Sequence, residues 1–312
     1  MNNNVEISVI IPVSERYDSV RDLYHDYKSA MEVSGRCFEF TYVLDGDFPE
    51  VFAQLRSLQD EGEIIKLVKL SKWFGEATAL TAGFEHSSAD IILTLPAYYQ
   101  IEPSGISDVL AGMSSNDMVI ARRWPRVDSK LNQLQSRIFH GLLNFITETS
   151  YRDLGCGVRA FRRQVIDEIP VYGDQHRFLP VLAFRQGFHV KELDVQQSSK
   201  DPHRRVYRTG VYLRRVLDIL TVFFLAKFTK KPLRFFGLLG SGLFAIGGML
   251  TAFLVFQRIF MGVALADRPI LLLSSILIVL GVQLFAMGLI GELIIFTHAK
   301  DIREYTVDDV VN

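Results

Sequence analysis

An α/β domain on a mostly parallel sheet, followed by an interfacial helix and two C-terminal transmembrane helices, is the architecture this sequence predicts. Three observations lead to it. Up to about residue 200 the chain alternates short β-branched runs with stretches of helical apolar spacing, the pattern of βαβ units. Residues 235 to 256 and residues 269 to 291 form two runs without a charged residue. At about 1.5 Å per residue, roughly 20 apolar residues cross a hydrocarbon core of about 30 Å, so each run is long enough to span.

The elements follow in order. "ISVIIPV" (Ile7 to Val13) is a continuous apolar run, as expected of a parallel strand covered on both faces. "SVRDLYHDYKSAMEVS" has helical spacing, and "FEFTYVLDGD" returns to strand character before stopping at Asp45-Gly46-Asp47. A helix "FAQLRSLQDEG", a strand "IIKLVKL", a helix from "GEATALTAGFEHS" and a strand "DIILTL" come next. Such alternation places ligands at the carboxyl ends of the strands. Beyond it the sequence predicts a helix at "GISDVLAGM", a strand "DMVIARR" and a long helix "SKLNQLQSRIFHGLLNFITE". "YRDLGCGVRAFRRQVIDEI" reads as a Gly-bearing loop entering a helix, "HRFLPVLAFRQGF" as a helix and "HVKELDVQQ" as a strand. Residues 211 to 228 set an apolar face against Arg214, Arg215 and Asp218, which suits a helix lying at the headgroups. The boundaries expected are 1–210 for the α/β domain, 211–234 for the interfacial helix and basic linker, 235–296 for a two-helix anchor and 297–312 for a tail.

Composition narrows the function. With 312 residues, 49% of them hydrophobic, the chain can bury a sizeable core, and a net charge of −1 argues against a nucleic-acid binder. Lys227, Lys230, Lys231 and Arg234 precede the first apolar run, whereas the loop between runs holds only Arg258 and Arg268. By the positive-inside rule the α/β domain and the tail face the cytoplasm, from an inner or plasma membrane that the chain crosses more than once. The opening "MNNNVEISVIIP" has no signal-peptide character, which agrees with a cytoplasmic N-terminus. Cys37 and Cys156 are too few for a disulfide framework and are expected as free thiols. The seven His residues fall at no metal-ligand spacing.

The order of motifs resembles glycosyltransferase family 2, in its membrane-anchored branch that works with polyprenyl phosphates. "SVIIPV" looks like the family's opening strand, "VLDGD" like its V-D-D-G-S loop, and "LSKWFGEATALTAGF" like L-x-R-N-F-G-K-x-x-A-L-x-A-G-L. "SRIFHGLLNFIT", "LGCGVRAFRR" and two C-terminal helices follow in family order. The resemblance implies a GT-A, Rossmann-like fold and transfer of a sugar from a nucleotide donor to polyprenyl phosphate or another anionic lipid. The implied partners are that donor, that lipid, the membrane and a second copy of the chain in a homo-oligomer. A non-catalytic sugar-nucleotide-binding or scaffold protein of the same fold is the alternative.

Site residues are carried over position by position. Asp45 matches the second acid of V-D-D-G, which in the family accepts from the nucleobase, while Leu44 replaces the first; an Asx turn with Gly46 is the other reading of Asp45. "PVSERYD" stands where the family has P-x-Y-N-E, which puts Pro12 and Glu15 beside the nucleotide. Lys72 occupies an Arg position and is expected at a phosphate. The family's T-M-D-A-D-L-Q-D-P-P becomes Thr94-Leu95-Pro96-Ala97-Tyr98-Tyr99-Gln100-Ile101-Glu102-Pro103, so both acids of D-x-D are absent. That motif holds Mg²⁺ or Mn²⁺ against the diphosphate, and neither Pro nor Tyr binds a hard cation in that way. Three readings stay open: leaving-group stabilisation by basic residues, a metal ligand moved to Glu102, or loss of catalysis. Tyr98 and Gln100 are retained as donor-binding positions.

Basic groups are available for the first reading. Arg122, Arg123 and Arg126 are expected at phosphate or lipid, as is Arg208. Arg204 and Arg205 lie where the family's basic loop approaches the phosphates, and guanidinium groups match phosphate oxygens bidentately. The A-G-D-F-R of some relatives becomes Gly155-Cys156-Gly157-Val158-Arg159, which keeps Arg159 and leaves Asp153 as the nearest candidate base. The charge asymmetry makes a topological prediction. Reporter fusions at Asn312 are expected to report the cytoplasm and fusions at Arg258 the opposite side; an external C-terminus would overturn this orientation.

Overall fold

The computed structural model describes residues 5–14, 16–127, 141, 149–169, 173–201, 232–262 and 268–298. The helix expected at "SKLNQLQSRIFHGLLNFITE", apart from residue 141, the helix expected at residues 211–228 and residues 299–312 of the tail lie outside the described residues. The described residues fall into two compact units.

The first unit is built on a seven-stranded sheet. Its strands are β1 (Ile7–Val13), β2 (Phe38–Leu44), β3 (Ile65–Lys69), β4 (Ile91–Thr94), β5 (Met118–Arg123), β6 (Arg159–Arg162) and β7 (Val190–Val195). The spatial order is β3-β2-β1-β4-β6-β5-β7. Strands β1 to β4 pair in parallel, as do β5 and β7, whereas β6 runs antiparallel between β4 and β5. All seven residues of β1 are buried, which is why this strand carries no alternation.

Helices α1 (Val20–Glu32), α2 (Pro49–Asp60), α3 (Glu76–Glu85) and α4 (Gly105–Ala111) connect successive strands. Two more, α5 (Arg163–Glu168) and α6 (Leu179–Gln186), lie between β6 and β7. On α1, Val20, Leu23, Tyr24, Tyr27, Ala30 and Met31 form the buried face, at the three-to-four spacing of a helix packed on a sheet. Strand β6 corrects the sequence reading, which passed from the Gly-bearing loop straight into a helix. Its four residues begin and end with arginine, and so short and charged a strand has no apolar signature of its own. Its partners on both sides are what make it a strand.

The second unit consists of α7 (Pro232–Met261) and α8 (Pro269–His298). Both are long and apolar enough to cross a membrane and are largely unburied by protein. Where they meet, small residues allow the backbones to touch. A Cβ on Gly240 would stand 2.6 Å from the Gly281 carbonyl, and one on Gly281 would stand 2.6 Å from the Phe244 nitrogen. Helix pairs in lipid gain little from hydrophobic exclusion and depend on such close packing. The oxygen of Thr251 also donates to that of Ser274 across the pair, at 3.0 Å.

These contacts make a prediction. Gly281→Leu forces a side chain into backbone and is expected to cost about 1–3 kcal/mol, seen as a lowered thermal midpoint of the detergent-solubilised protein. Gly242→Leu is expected to leave the midpoint unchanged, because nothing lies within 4 Å of that position. Equal midpoints for the two variants would disprove the packing role of Gly281.

Candidate active site

The sheet gathers one set of loops along a single edge. Parallel β1, β2, β3 and β4 all end there, and so do β5 and β7; antiparallel β6 begins there, with Arg159 opposite Thr94 of β4 and Ile120 of β5. Residues 14, 16–19, 45–48, 70–75, 95–101 and 196–201, with the segment before β6, therefore share one edge. The carboxyl edge of such a sheet is where α/β folds bind ligands.

Asp45 stands at the end of β2, fully buried. One carboxylate oxygen accepts from the Phe74 N–H at 2.7 Å and the other from the Gly75 N–H at 2.9 Å. Those donors open α3, so the aspartate neutralises the positive end of that helix and locks the β3–α3 loop to the end of β2. Gly75, at φ +100°, occupies a backbone conformation that other residues adopt only with strain. Pro12 is buried within β1, opposite Val43. Lys72 is exposed, its ammonium 5.2 Å from the centre of the Phe74 ring. Trp73 and Phe74 are exposed beside it, and Tyr17 meets Phe48 edge-on at 5.6 Å.

The segment after β4 is braced from both sides. From α1, the Tyr27 hydroxyl donates to the Pro96 carbonyl at 3.1 Å, and the Asp26 carboxylate accepts from the Tyr99 hydroxyl. Just before α1, the Asp18 carboxylate accepts from the Tyr99 N–H at 3.0 Å. On the other side Gln100, buried, accepts from the Gly157 N–H at 2.8 Å and donates to the Tyr98 hydroxyl. Glu102 accepts from the Ser199 N–H at 3.1 Å.

This donor set does not fit the divalent metal that the family resemblance implies. Buried Pro96 has no acceptor on its side chain, and Tyr98 offers only a neutral hydroxyl already hydrogen-bonded. Among the described residues no cluster of three His, Cys, Asp or Glu side chains is placed to hold a metal ion.

A network of charges occupies the neighbouring ground. Arg123 and Asp153 are each 2% exposed and paired bidentately, Nε to Oδ2 at 2.7 Å and Nη2 to Oδ1 at 2.8 Å. The Arg123 N–H also donates to the same carboxylate, at 3.2 Å. Burial alone would lower the Arg123 pKa, but the charge and hydrogen bonds of Asp153, aided by Asp201, outweigh it and keep the guanidinium protonated. A carboxylate held in this way is a poor base, and the geometry of Asp153 is that of a group that positions Arg123. The Arg152 and Asp153 N–H groups donate in turn to Glu192, whose carboxyl burial raises above its ordinary pKa.

Asp201 extends the network. Its Oδ1 lies 3.1 Å from Arg16 Nη2, and its Oδ2 accepts from Gln197 at 2.8 Å and stands 3.6 Å from Arg123 Nη1. The Arg16 guanidinium lies over the Tyr98 ring, with 3.7 Å between its central carbon and the ring centroid.

The remaining arginines are distributed differently. Arg159 is buried and donates to the carbonyls of Cys156, Leu154, His176 and Arg177, so it staples the loop before β6 to the turn before α6. Arg122 pairs with Asp194 at 3.1 Å and stacks on exposed Trp124. Arg126 is half-buried. Burial pushes the Cys156 thiol up to about 11, which leaves it protonated and inert near neutral pH. Glu15, Arg204, Arg205 and Arg208 lie outside the described residues.

The structure thus brings together Asp45, Tyr98, Gln100, Arg123, Asp153 and Arg159 at one sheet edge. Sequence reasoning missed Arg16, Gln197 and Asp201. Arg16 sits in the "PVSERYD" segment that had drawn attention to its neighbour Glu15, and Asp201 opens the basic stretch "DPHRR". Position along the chain was therefore a usable signal for both.

Fold and site together define a GT-A-type α/β domain joined to a pair of apolar helices. Its shape matches glucosyl-3-phosphoglycerate synthase from Mycobacterium tuberculosis, solved with Mn²⁺ and UDP-glucose, at a TM-score of 0.53 and 13% identity over 70% of this chain and 79% of that one. The sequence profile of glycosyl transferase family 2 matches residues 8–170. The chain is 30% identical, over 98% of its length and 94% of the relative's, to an undecaprenyl-phosphate 4-deoxy-4-formamido-L-arabinose transferase from an Enterobacter species. It is 26% identical, over 96% of its length and 90% of the relative's, to dodecaprenyl-phosphate galacturonate synthase from Rhizobium johnstonii. The chain belongs to glycosyl transferase family 2.

The buried pair carries a prediction. Asp153→Ala strands the Arg123 charge and is expected to cost about 3–5 kcal/mol of stability, measured by denaturant unfolding. Combining it with Arg123→Met removes the stranded charge and is expected to recover part of that loss. A double variant less stable than Asp153→Ala alone would show that the pair is not what the site depends on.

Proposed function

We propose that this chain is a membrane-anchored glycosyltransferase that moves a sugar from a nucleoside-diphosphate donor to polyprenyl phosphate or a similar lipid phosphate. The observation that carries the reading is the extent of the match. Similarity to the undecaprenyl-phosphate transferase runs over 98% of this chain and so includes the two apolar helices as well as the donor-type domain. In this reading residues 1–210 bind the donor and face the cytoplasm. Residues 211–234 lie at the membrane surface, residues 235–296 anchor the chain, and residues 297–312 form a cytoplasmic tail.

The chemistry follows from the acceptor. An oxygen of the lipid phosphate attacks the anomeric carbon and forms the new C–O bond. The bond from that carbon to the donor diphosphate breaks, and its electron pair leaves with the nucleoside diphosphate. A phosphate monoester has a second pKa of about 6 and is already ionised near neutral pH, so the attack needs no strong base. This agrees with an Asp153 committed to Arg123. Asp45 acts on the donor by holding the β3–α3 loop, whose exposed Trp73 and Phe74 offer faces to a nucleobase.

Pro96 and Tyr98, in place of acids, favour a second reading, a sugar-nucleotide-binding or scaffold protein that keeps the fold without transfer. Purified full-length protein in detergent, given undecaprenyl phosphate and a panel of UDP- and GDP-sugars, is expected to produce a lipid-linked sugar detectable by mass spectrometry. Asp45→Ala is expected to weaken donor binding by about 1–3 kcal/mol, because two backbone donors lose their acceptor and the loop its anchor. Nucleotide binding without transfer from any donor would establish the second reading.

A further inference from the structure

We infer that Arg16 is the cation that receives the donor's diphosphate, in the position where related enzymes use a divalent metal; the inference rests on the donor reading above. Arg16 leaves the sheet after β1 and Tyr98 after β4, and these strands are parallel neighbours with Ile10 opposite Thr94. Tyr98 stands at the second acidic position of the absent D-x-D motif. A guanidinium lying 3.7 Å above that ring places a fixed positive charge over the position that a metal-binding carboxylate would otherwise occupy.

The orientation of the group is as informative as its place. A guanidinium carries its N–H bonds around the rim of its plane, so a contact of its central carbon with the ring leaves N–H groups for other partners. One edge is held by Asp201 at 3.1 Å, and the side chain remains 29% exposed. Its other N–H groups have no partner among the described residues. Tyr98 is fixed in turn, its hydroxyl by Gln100 and its carbonyl by the Tyr27 hydroxyl at 3.4 Å. The result is a planar donor held at one edge and open at another, as bidentate recognition of phosphate oxygens requires.

The neighbouring arginines do not meet this description. Arg123 is 2% exposed and bound bidentately to Asp153, and Arg159 is buried against backbone carbonyls. Arg122 is paired with Asp194 and stacked on Trp124. Charge on the diphosphate grows as its bond to the sugar breaks, so a cation fixed before the reaction stabilises the departing group without rearrangement.

The test uses full-length protein in detergent and calorimetric titration with UDP and GDP, and with UMP and GMP, in EDTA and again with Mn²⁺. In EDTA the wild type is expected to bind its preferred diphosphate about 10-fold or more tighter than the matching monophosphate, with little gain from Mn²⁺. Arg16→Gln is expected to abolish that difference while leaving monophosphate affinity within about twofold, because only the β-phosphate loses its partner. Tyr98→Leu, which keeps the arginine and removes its platform, is expected to reduce the difference. A diphosphate preference that needs Mn²⁺, one that survives Arg16→Gln, or loss of monophosphate binding in Arg16→Gln would overturn the inference and leave the donor reading intact. A wild type that binds no nucleotide under either condition would overturn both.

Discussion

The burial of one arginine and two aspartates, joined to a second arginine at the surface, is the constraint on which the candidate site depends. Arg123 and Asp153 are almost wholly removed from water, and Asp201 joins them to Arg16 at the surface. Ions removed from water this far are tolerated only when their charges and hydrogen bonds are matched. Matching them requires the chain after β1, the end of β5, the segment before β6 and the chain after β7 to meet at fixed distances. Gln197 completes the arrangement, accepting from the Val127 N–H at 2.8 Å while it donates to Asp201. Four stretches of chain far apart in sequence are thus assembled by electrostatics at a sheet edge that hydrophobic packing alone would leave ragged.

The same edge shows how the loop at the family motif's position is held without the motif's acids. Where acids would gather round a cation, Pro96 and Tyr98 are held by hydrogen bonds from Tyr27 and Gln100, and Gln100 also receives the Gly157 N–H. Thr94 donates to the Gly157 carbonyl at 2.8 Å, so the loops after β4 and before β6 are tied at two points. A metal site imposes geometry through its ion, and here neutral side chains and one stacked guanidinium impose it. The substitution exchanges a doubly charged, exchangeable centre for a singly charged, permanent one.

Much of the fold was legible because burial leaves a periodic mark. β1 and β4 are apolar runs bounded by turn residues, and the two apolar helices contain the uncharged stretches 235–256 and 269–291, so both features are visible one residue at a time. β6 was not legible, because "RAFR" becomes a strand only through the partners that flank it. The site divided along the same line. Asp45 could be found from its place at a strand end, yet its hydrogen bonds to the opening of α3 depend on a loop some thirty positions away. For Asp153, the family resemblance suggested a base, and only the fold discloses the arginine that occupies both its oxygens. Spacing reports which residues come near an edge and carries no information on which of them neutralise one another.

The charge balance of the network also bears on how an anionic donor and an anionic acceptor can be accommodated together. Arg16 and Arg123 offset Asp153 and Asp201, so this group has no surplus to offer two phosphorylated ligands at once. Its capacity to bind lies in orientation: a guanidinium shared with a carboxylate on one edge still presents directed N–H groups on another. A surplus must then come from other basic residues. Lys72 is exposed on the loop that Asp45 anchors, and the stretch from His203 to Arg208 carries four basic side chains in six positions. Such a division separates two tasks that a metal ion performs together. In the proposed reading the network and its arginine set direction, while other basic groups add the net charge that screens two phosphates from each other.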